Sequence, residues 1–166
     1  GGIQNLLYEW WRRLPPESFA VLTSPYAGSQ DFDRAQNFLI RRTRESVLLP
    51  HPLMVRRINK MAQEFGAELV VLDPALPLGL VGPRLNLPYA VVLHGAEVTV
   101  PGRLPVTKQI LSRVLNKAEF VIASGGYPAD EANRVAGQIK NLTVITPGVD
   151  IKRFKQLTAS EKSQAR

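Results

Sequence analysis

The chain has 166 residues, no cysteine, a formal net charge of +7 and a pI near 10.1. That length holds one domain with a real core. The missing thiols exclude a disulfide scaffold, a thiolate metal site and a cysteine nucleophile, and they fit a reducing cytoplasm. The basic balance points to an anionic partner: nucleic acid, an acidic membrane surface or a phosphorylated substrate. No apolar run approaches the roughly 20 residues that a membrane-crossing helix needs.

Elements follow from periodicity. Gly1-Gly2 opens directly into a helix whose Ile3, Leu6, Leu7, Trp10 and Leu14 share one face, and Pro15-Pro16 stops it. A glycine pair at a helix start either seats a phosphate on bare N–H groups or simply makes a turn. Phe19–Thr23 and Phe38–Thr43 read as strands, with a polar stretch between them. After Pro50-His51-Pro52 an amphipathic helix turns Met54, Ile58, Met61, Ala62 and Phe65 inward and Arg56, Arg57 and Lys60 outward, with Gly66 closing it. Those cations form either a solvated face or a patch for anionic lipid.

Glu68–Leu72 reads as a buried strand that exits at Asp73-Pro74. Asp73 there either bonds a sugar or inositol hydroxyl or caps the next turn. A short helix around Leu76, Leu78, Leu80 and Val81 precedes Tyr89–Leu93, an unbroken apolar strand ending in His94-Gly95-Ala96-Glu97. Residues 97–105 read as a mobile loop. The next helix buries Ile110, Leu111, Val114, Leu115 and Ala118 and exposes Lys108, Arg113 and Lys117. Strands at Phe120–Ser124 and Leu142–Ile145 flank a helix that begins after Gly125-Gly126-Tyr127-Pro128, and a polar tail starts at Lys155.

Strands alternate with helices, so the fold class is α/β: Rossmann-like, doubly wound, with a mostly parallel sheet. Ligands in such sheets bind at the carboxyl ends of strands. His94 therefore marks the floor of a site, projecting into an open crevice rather than the core. There is no Walker loop, no Gly-x-Ser-x-Gly elbow and no His-x-x-x-His pair, so no metal is expected. No aromatic-rich basic stripe supports nucleic acid as a partner.

Gly1-Gly2-Ile3-Gln4, His94-Gly95-x-Glu97 and Pro147-Gly148-Val149-Asp150-x-x-x-Phe154 occur in this order, with Leu76–Arg84 and Leu104–Lys108 adding to the pattern. The set resembles the amino-terminal domain of the family-four retaining glycosyltransferases of GT-B fold. Within them it is most similar to the actinobacterial GDP-mannose-dependent phosphatidylinositol monomannoside mannosyltransferases. The resemblance implies an acceptor-side domain over residues 1–154 and an interdomain linker or tail over 155–166. It implies that Gly1 and Gly2 approach the donor diphosphate, that Gln4, Asp73 and Glu97 lie near the acceptor, and that His94 is catalytic. The implied partners are a nucleotide-sugar (GDP-mannose, as substrate rather than cofactor), a lipid-linked acceptor, an anionic membrane surface met by Arg56, Arg57 and Lys60, and a carboxyl-terminal donor-binding domain. The implied location is the cytoplasmic face of the cell membrane. The family's first strand and its donor domain are absent from this chain, so the piece alone is expected to be inactive and to leave a slot in its sheet. The rival readings are a transferase for another sugar nucleotide and a soluble acceptor, a non-catalytic module that binds anionic membranes, and a nucleic-acid-binding protein.

Overall fold

A computed structural model describes residues 2–150. The expectations for Gly1, Phe154 and the 155–166 tail fall outside these residues. Helix α1, Gly2–Trp11, ends before the double proline and buries no residue. Strand β1, Ala20–Thr23, pairs in parallel with β2, Leu39–Arg42. The polar stretch between them carries the short helix α2, Ser29–Arg34, started by Gly28 in the left-handed region. The Arg42 guanidinium holds it through two 2.7 Å bonds to Asp33, and the ring of Phe32 meets Tyr8 of α1 at 5.6 Å.

Helix α3, Pro52–Phe65, matches its predicted boundaries closely. Proline sits in its first turn, where no donor is lost. The His51 ring accepts from the Met54 N–H, and Gly66 terminates the helix at φ 75°. Met54, Ile58, Met61 and Ala62 are buried as the spacing predicts.

Strands β3, Val70–Leu72, β4, Tyr89–Leu93, β5, Phe120–Ala123, and β6, Leu142–Val144, form a second sheet in that order, all parallel. Between β4 and β5 lie the one-turn helix α4, Ala96–Thr99, a 3-10 turn at Pro101–Arg103 and helix α5, Pro105–Lys117. Helix α6, Gly126–Ala136, joins β5 to β6. Helices α3, α5 and α6 and the 3-10 segment Leu78–Arg84 pack one core over this sheet: Met54, Ile58, Leu78, Val81, Val91, Leu93, Leu111, Val114, Val121 and Ala132 belong to a single cluster. The Tyr89 ring fills the space over Gly82, where a Cβ would stand 2.5 Å away. Its hydroxyl donates to the Val114 carbonyl at 2.7 Å, and burial pushes the phenol up to about 12.

Among the described strands only β4 has every residue buried. β3 was also read as a buried strand, but Val71 is 54% exposed; β5 is parallel as expected, with Phe120 46% exposed. Alternate residues of a strand face opposite sides, and the helical core covers the side holding Leu72, Val121 and Ala123. The other edge of β3 pairs with no strand among the described residues.

Candidate active site

The carboxyl end of β4 is where the structure gathers titratable groups. The chain turns sharply at Gly95, whose φ of 141° and ψ of −71° an L-residue with a Cβ rarely adopts. The turn permits α4 to start at once, so residues 97–103 are helical rather than a mobile loop. Glu97 folds back over the turn: its Oε1 accepts from the His94 N–H, and the Gly95 N–H donates to Oε1 at 3.2 Å and Oε2 at 3.1 Å. A carboxylate in a first helical turn is well placed for this, because those N–H groups have no helical partner. The Glu97 carboxylate holds the loop that presents His94.

The imidazole is similarly fixed. Its Nε2 lies 2.7 Å from Asp73 Oδ1 at the neighbouring exit of β3. β3 and β4 are adjacent and parallel, with Leu72 beside Val91, so the residues following both strands emerge together. Asp73 thus has its Oδ1 on the imidazole rather than on a backbone N–H of the following turn. The His94 side chain is 9% exposed and that of Asp73 16%, so the ring does not project freely, as the sequence suggested, but lies against its carboxylate partner. It is not sealed: among the described residues Nδ1 has no hydrogen-bond partner, yet no polar side-chain atom of theirs is both buried and unsatisfied. With Asp73 ionised, Nε2 carries the proton, and Nδ1 accepts a hydrogen bond when the ring is neutral and donates one when it is charged. The hydrogen bond and charge of Asp73 raise the imidazole above its ordinary 6.5, opposed by burial and aided by Glu97.

Two residues the sequence reading passed over complete this rim. The Thr99 hydroxyl donates to the Gly95 carbonyl at 3.1 Å and lies 3.0 Å from the Tyr127 hydroxyl. The Tyr127 ring, 60% exposed, follows the exit of β5, about 4.0 Å from where a Cβ on Gly95 would stand. The signal was an aromatic residue directly after the Gly125-Gly126 turn, at a strand exit parallel to that of His94.

Gly2 and Gln4 stand exposed on α1, and no hydrogen bond among the described residues joins either to this cluster. On α3, Arg57 pairs with Glu45 at 2.6 Å and holds its carboxyl at about 2, while Lys60 lies 3.8 Å from Glu64, which also binds Arg41 of β2. Arg56 alone of the three predicted surface cations has no ion pair among the described residues.

No family model matches the chain. It is 30% identical over 165 residues to a GDP-mannose-dependent alpha-(1-6)-phosphatidylinositol monomannoside mannosyltransferase of Mycobacterium tuberculosis, an alignment covering 93% of this chain and 43% of that protein. A monoacylated-acceptor counterpart from Corynebacterium glutamicum is 26% identical over 172 residues, covering 100% of this chain and 45% of the relative. The chain thus spans somewhat under half the length of the curated relatives it matches. Among solved structures, an Anabaena protein, Alr3699/HepE, crystallised with UDP and glucose, superposes with a TM-score of 0.67 at 18% identity, over 100% of this chain and 46% of that one. Sequence and fold converge: the chain has the Rossmann-like α/β fold found in GT-B glycosyltransferases, and along nearly its whole length it is similar to part of the GDP-mannose-dependent phosphatidylinositol monomannoside mannosyltransferases.

Proposed function

We propose that this chain forms the acceptor side of an enzyme that transfers mannose from GDP-mannose to a phosphatidylinositol-type lipid, with retention at the anomeric carbon. The observation that carries the reading is the His94–Asp73 pair at the exits of β4 and β3, with Nε2 fixed at 2.7 Å and Nδ1 left open. The names of the sequence relatives supply the donor and acceptor class. In the transfer, the bond from the anomeric carbon to the diphosphate breaks and its electron pair leaves with GDP. The acceptor hydroxyl oxygen bonds to that carbon on the same face and passes its proton to the departing diphosphate oxygen. His94 hydrogen-bonds the reacting sugar or the acceptor phosphate through Nδ1, Asp73 positions the ring, and Glu97 fixes the backbone that carries it. The exposed N–H groups at the start of α1, with Gly1 and Gly2, approach the donor diphosphate, and Gln4 approaches the acceptor head group. A carboxyl-terminal donor-binding domain holds the nucleotide. The work is done at the cytoplasmic face of the membrane.

The test is His94→Ala and His94→Gln in the full-length protein, assayed with GDP-mannose and phosphatidylinositol monomannoside in vesicles. Turnover falls on the order of 100-fold or more, the size of losing one preorganised polar contact to a developing charge, while the unfolding midpoint changes little. Anomeric NMR of the product reads out retention. Unchanged turnover removes His94 from the site.

A further inference from the structure

Exposed apolar side chains are scattered over the surface, and singly they need no account. Ile110 on α5 is one: the sequence pattern placed it in the core, yet it is 39% exposed, and Leu111, Val114 and Leu115 alone carry that helix's burial. Tyr127 differs because it stands at the candidate site. β4 and β5 pair in parallel with Leu93 beside Ala123, so the segments that follow them leave the sheet side by side. Asp73 flanks His94 from β3, and Tyr127 flanks it from β5, on the other side. The phenol ring is held at both ends. Its Cα lies in the first turn of α6, and its hydroxyl is 3.0 Å from that of Thr99. With the Thr99 proton on the Gly95 carbonyl at 3.1 Å, the phenol donates to Thr99 Oγ1. One edge of the ring faces Gly95, about 4.0 Å from where a Cβ would stand. Even so, the residue is 60% exposed, and among the described residues no aromatic ring or guanidinium stacks on it.

We propose that Tyr127 is a stacking platform for a six-membered polyol ring of the acceptor, with Thr99 as the residue that positions it. A tyrosine tethered at its hydroxyl while its face stays in water has already lost its rotamer freedom, so a ligand laid on it incurs little further ordering cost. The face of the ring carries the negative side of its quadrupole. Pyranose and inositol rings present polarised C–H bonds between their hydroxyls, and those patches suit such a face. Phosphate and diphosphate groups, with their negative charge, do not. The remaining lone pairs of the Tyr127 oxygen can accept from a ring hydroxyl. Phosphatidylinositol monomannoside holds two rings of this kind, an inositol and a mannosyl unit. A ring laid on Tyr127 is held at the strand exit next to that of His94. The inference deepens the lipid-acceptor reading above, in which the nucleotide belongs to another domain, and it can fail separately because binding is read without GDP-mannose.

The experiment is calorimetric titration of the full-length protein with soluble probes: glycerophosphoinositol mannoside, glycerophosphoinositol and GDP. Tyr127→Ala is expected to weaken binding of the mannoside by about five- to tenfold, the size of one aromatic contact, and to leave GDP binding as in the parent. The unfolding midpoint changes little, because the side chain is exposed. Tyr127→Phe keeps the ring and loses only its tether, so it weakens the mannoside by about two- to threefold; Thr99→Val acts in the same direction. In the transfer assay Tyr127→Ala raises the acceptor KM rather than lowering kcat, a split that a merely structural loss does not give. Weakening of both inositol-bearing probes puts the inositol ring on Tyr127, and weakening of the mannoside alone puts the mannosyl ring there. Binding and discrimination of the mannoside without transfer from GDP-mannose leave the platform standing and sink the donor assignment instead. The proposal is overturned if Tyr127→Ala binds all three probes like the parent, or if the parent binds neither inositol-bearing probe. It is overturned also if Tyr127→Phe binds as poorly as Tyr127→Ala, which assigns the contact to the hydroxyl, or if only GDP is weakened, which assigns the ring to the nucleotide base.

Discussion

The two sheets of this molecule are held by different means. In the four-stranded sheet, β4 is covered on both faces, and Val91, Leu93, Leu111 and Val121 are each 1% exposed or less. In the two-stranded sheet only Val21 of β1 is buried, β2 has no buried residue, and the neighbouring α1 buries none. What ties that second region down is largely polar: Arg42 to Asp33, Arg41 to Glu64, and the Thr43 N–H to Thr23 at 2.9 Å. The candidate site hangs from the first region. A residue that must present a ring to within tenths of an ångström is best mounted on a strand that cannot shift, and close-packed interiors resist displacement far more than exposed ion pairs do.

That contrast can be broken by mutation. The largest effect is expected at the centre of the rigid half: Leu111→Ala should cost about 3 kcal/mol through lost burial and a residual cavity, read as a lower urea midpoint. Next is Gly95→Ala. The position has room for a methyl group, but its φ of 141° does not suit one. A cost of about 1–3 kcal/mol is expected, with the His94 ring resonances displaced in NMR as the turn relaxes.

A smaller effect has a pH signature. Because Asp73 raises the folded-state value of His94 above 6.5, their pairing stabilises fully below that value and fades as pH rises through the folded-state one. Urea midpoints for the parent and Asp73→Asn, taken between about pH 5.5 and about pH 8.5, should differ most at the acid end and converge at the alkaline end. A gap that widens with pH would mean the pair is held by something other than the imidazolium. The smallest effect belongs to the loosely covered half: Ile3→Ala on α1, where the side chain is 42% exposed, should stay within about 0.5 kcal/mol of the parent. If it rivals Leu111→Ala, the two halves are not as unequal as their burial implies.

Much of this architecture was legible in local pattern. Alternating strands and helices, the proline and glycine that bound α3, and the apolar run of β4 ending at His94 all depend on neighbours a few residues apart, whose spacing directly reports which face is buried. The helical turn of α2 was not visible, because six mostly polar residues carry little periodic signal.

What only the tertiary structure decided is which side chains meet across elements. Asp73 and His94 are 21 residues apart; nothing in either segment announces that parallel pairing of β3 with β4 will set them 2.7 Å from each other. The inward fold of Glu97 depends on the backbone angle at Gly95, the pairing of Arg57 on the position of Glu45, and the exposure of Ile110 on where α6 and the sheet leave α5 uncovered. Periodicity shows that a helix has a buried side, but its width is set by the neighbours that pack against it.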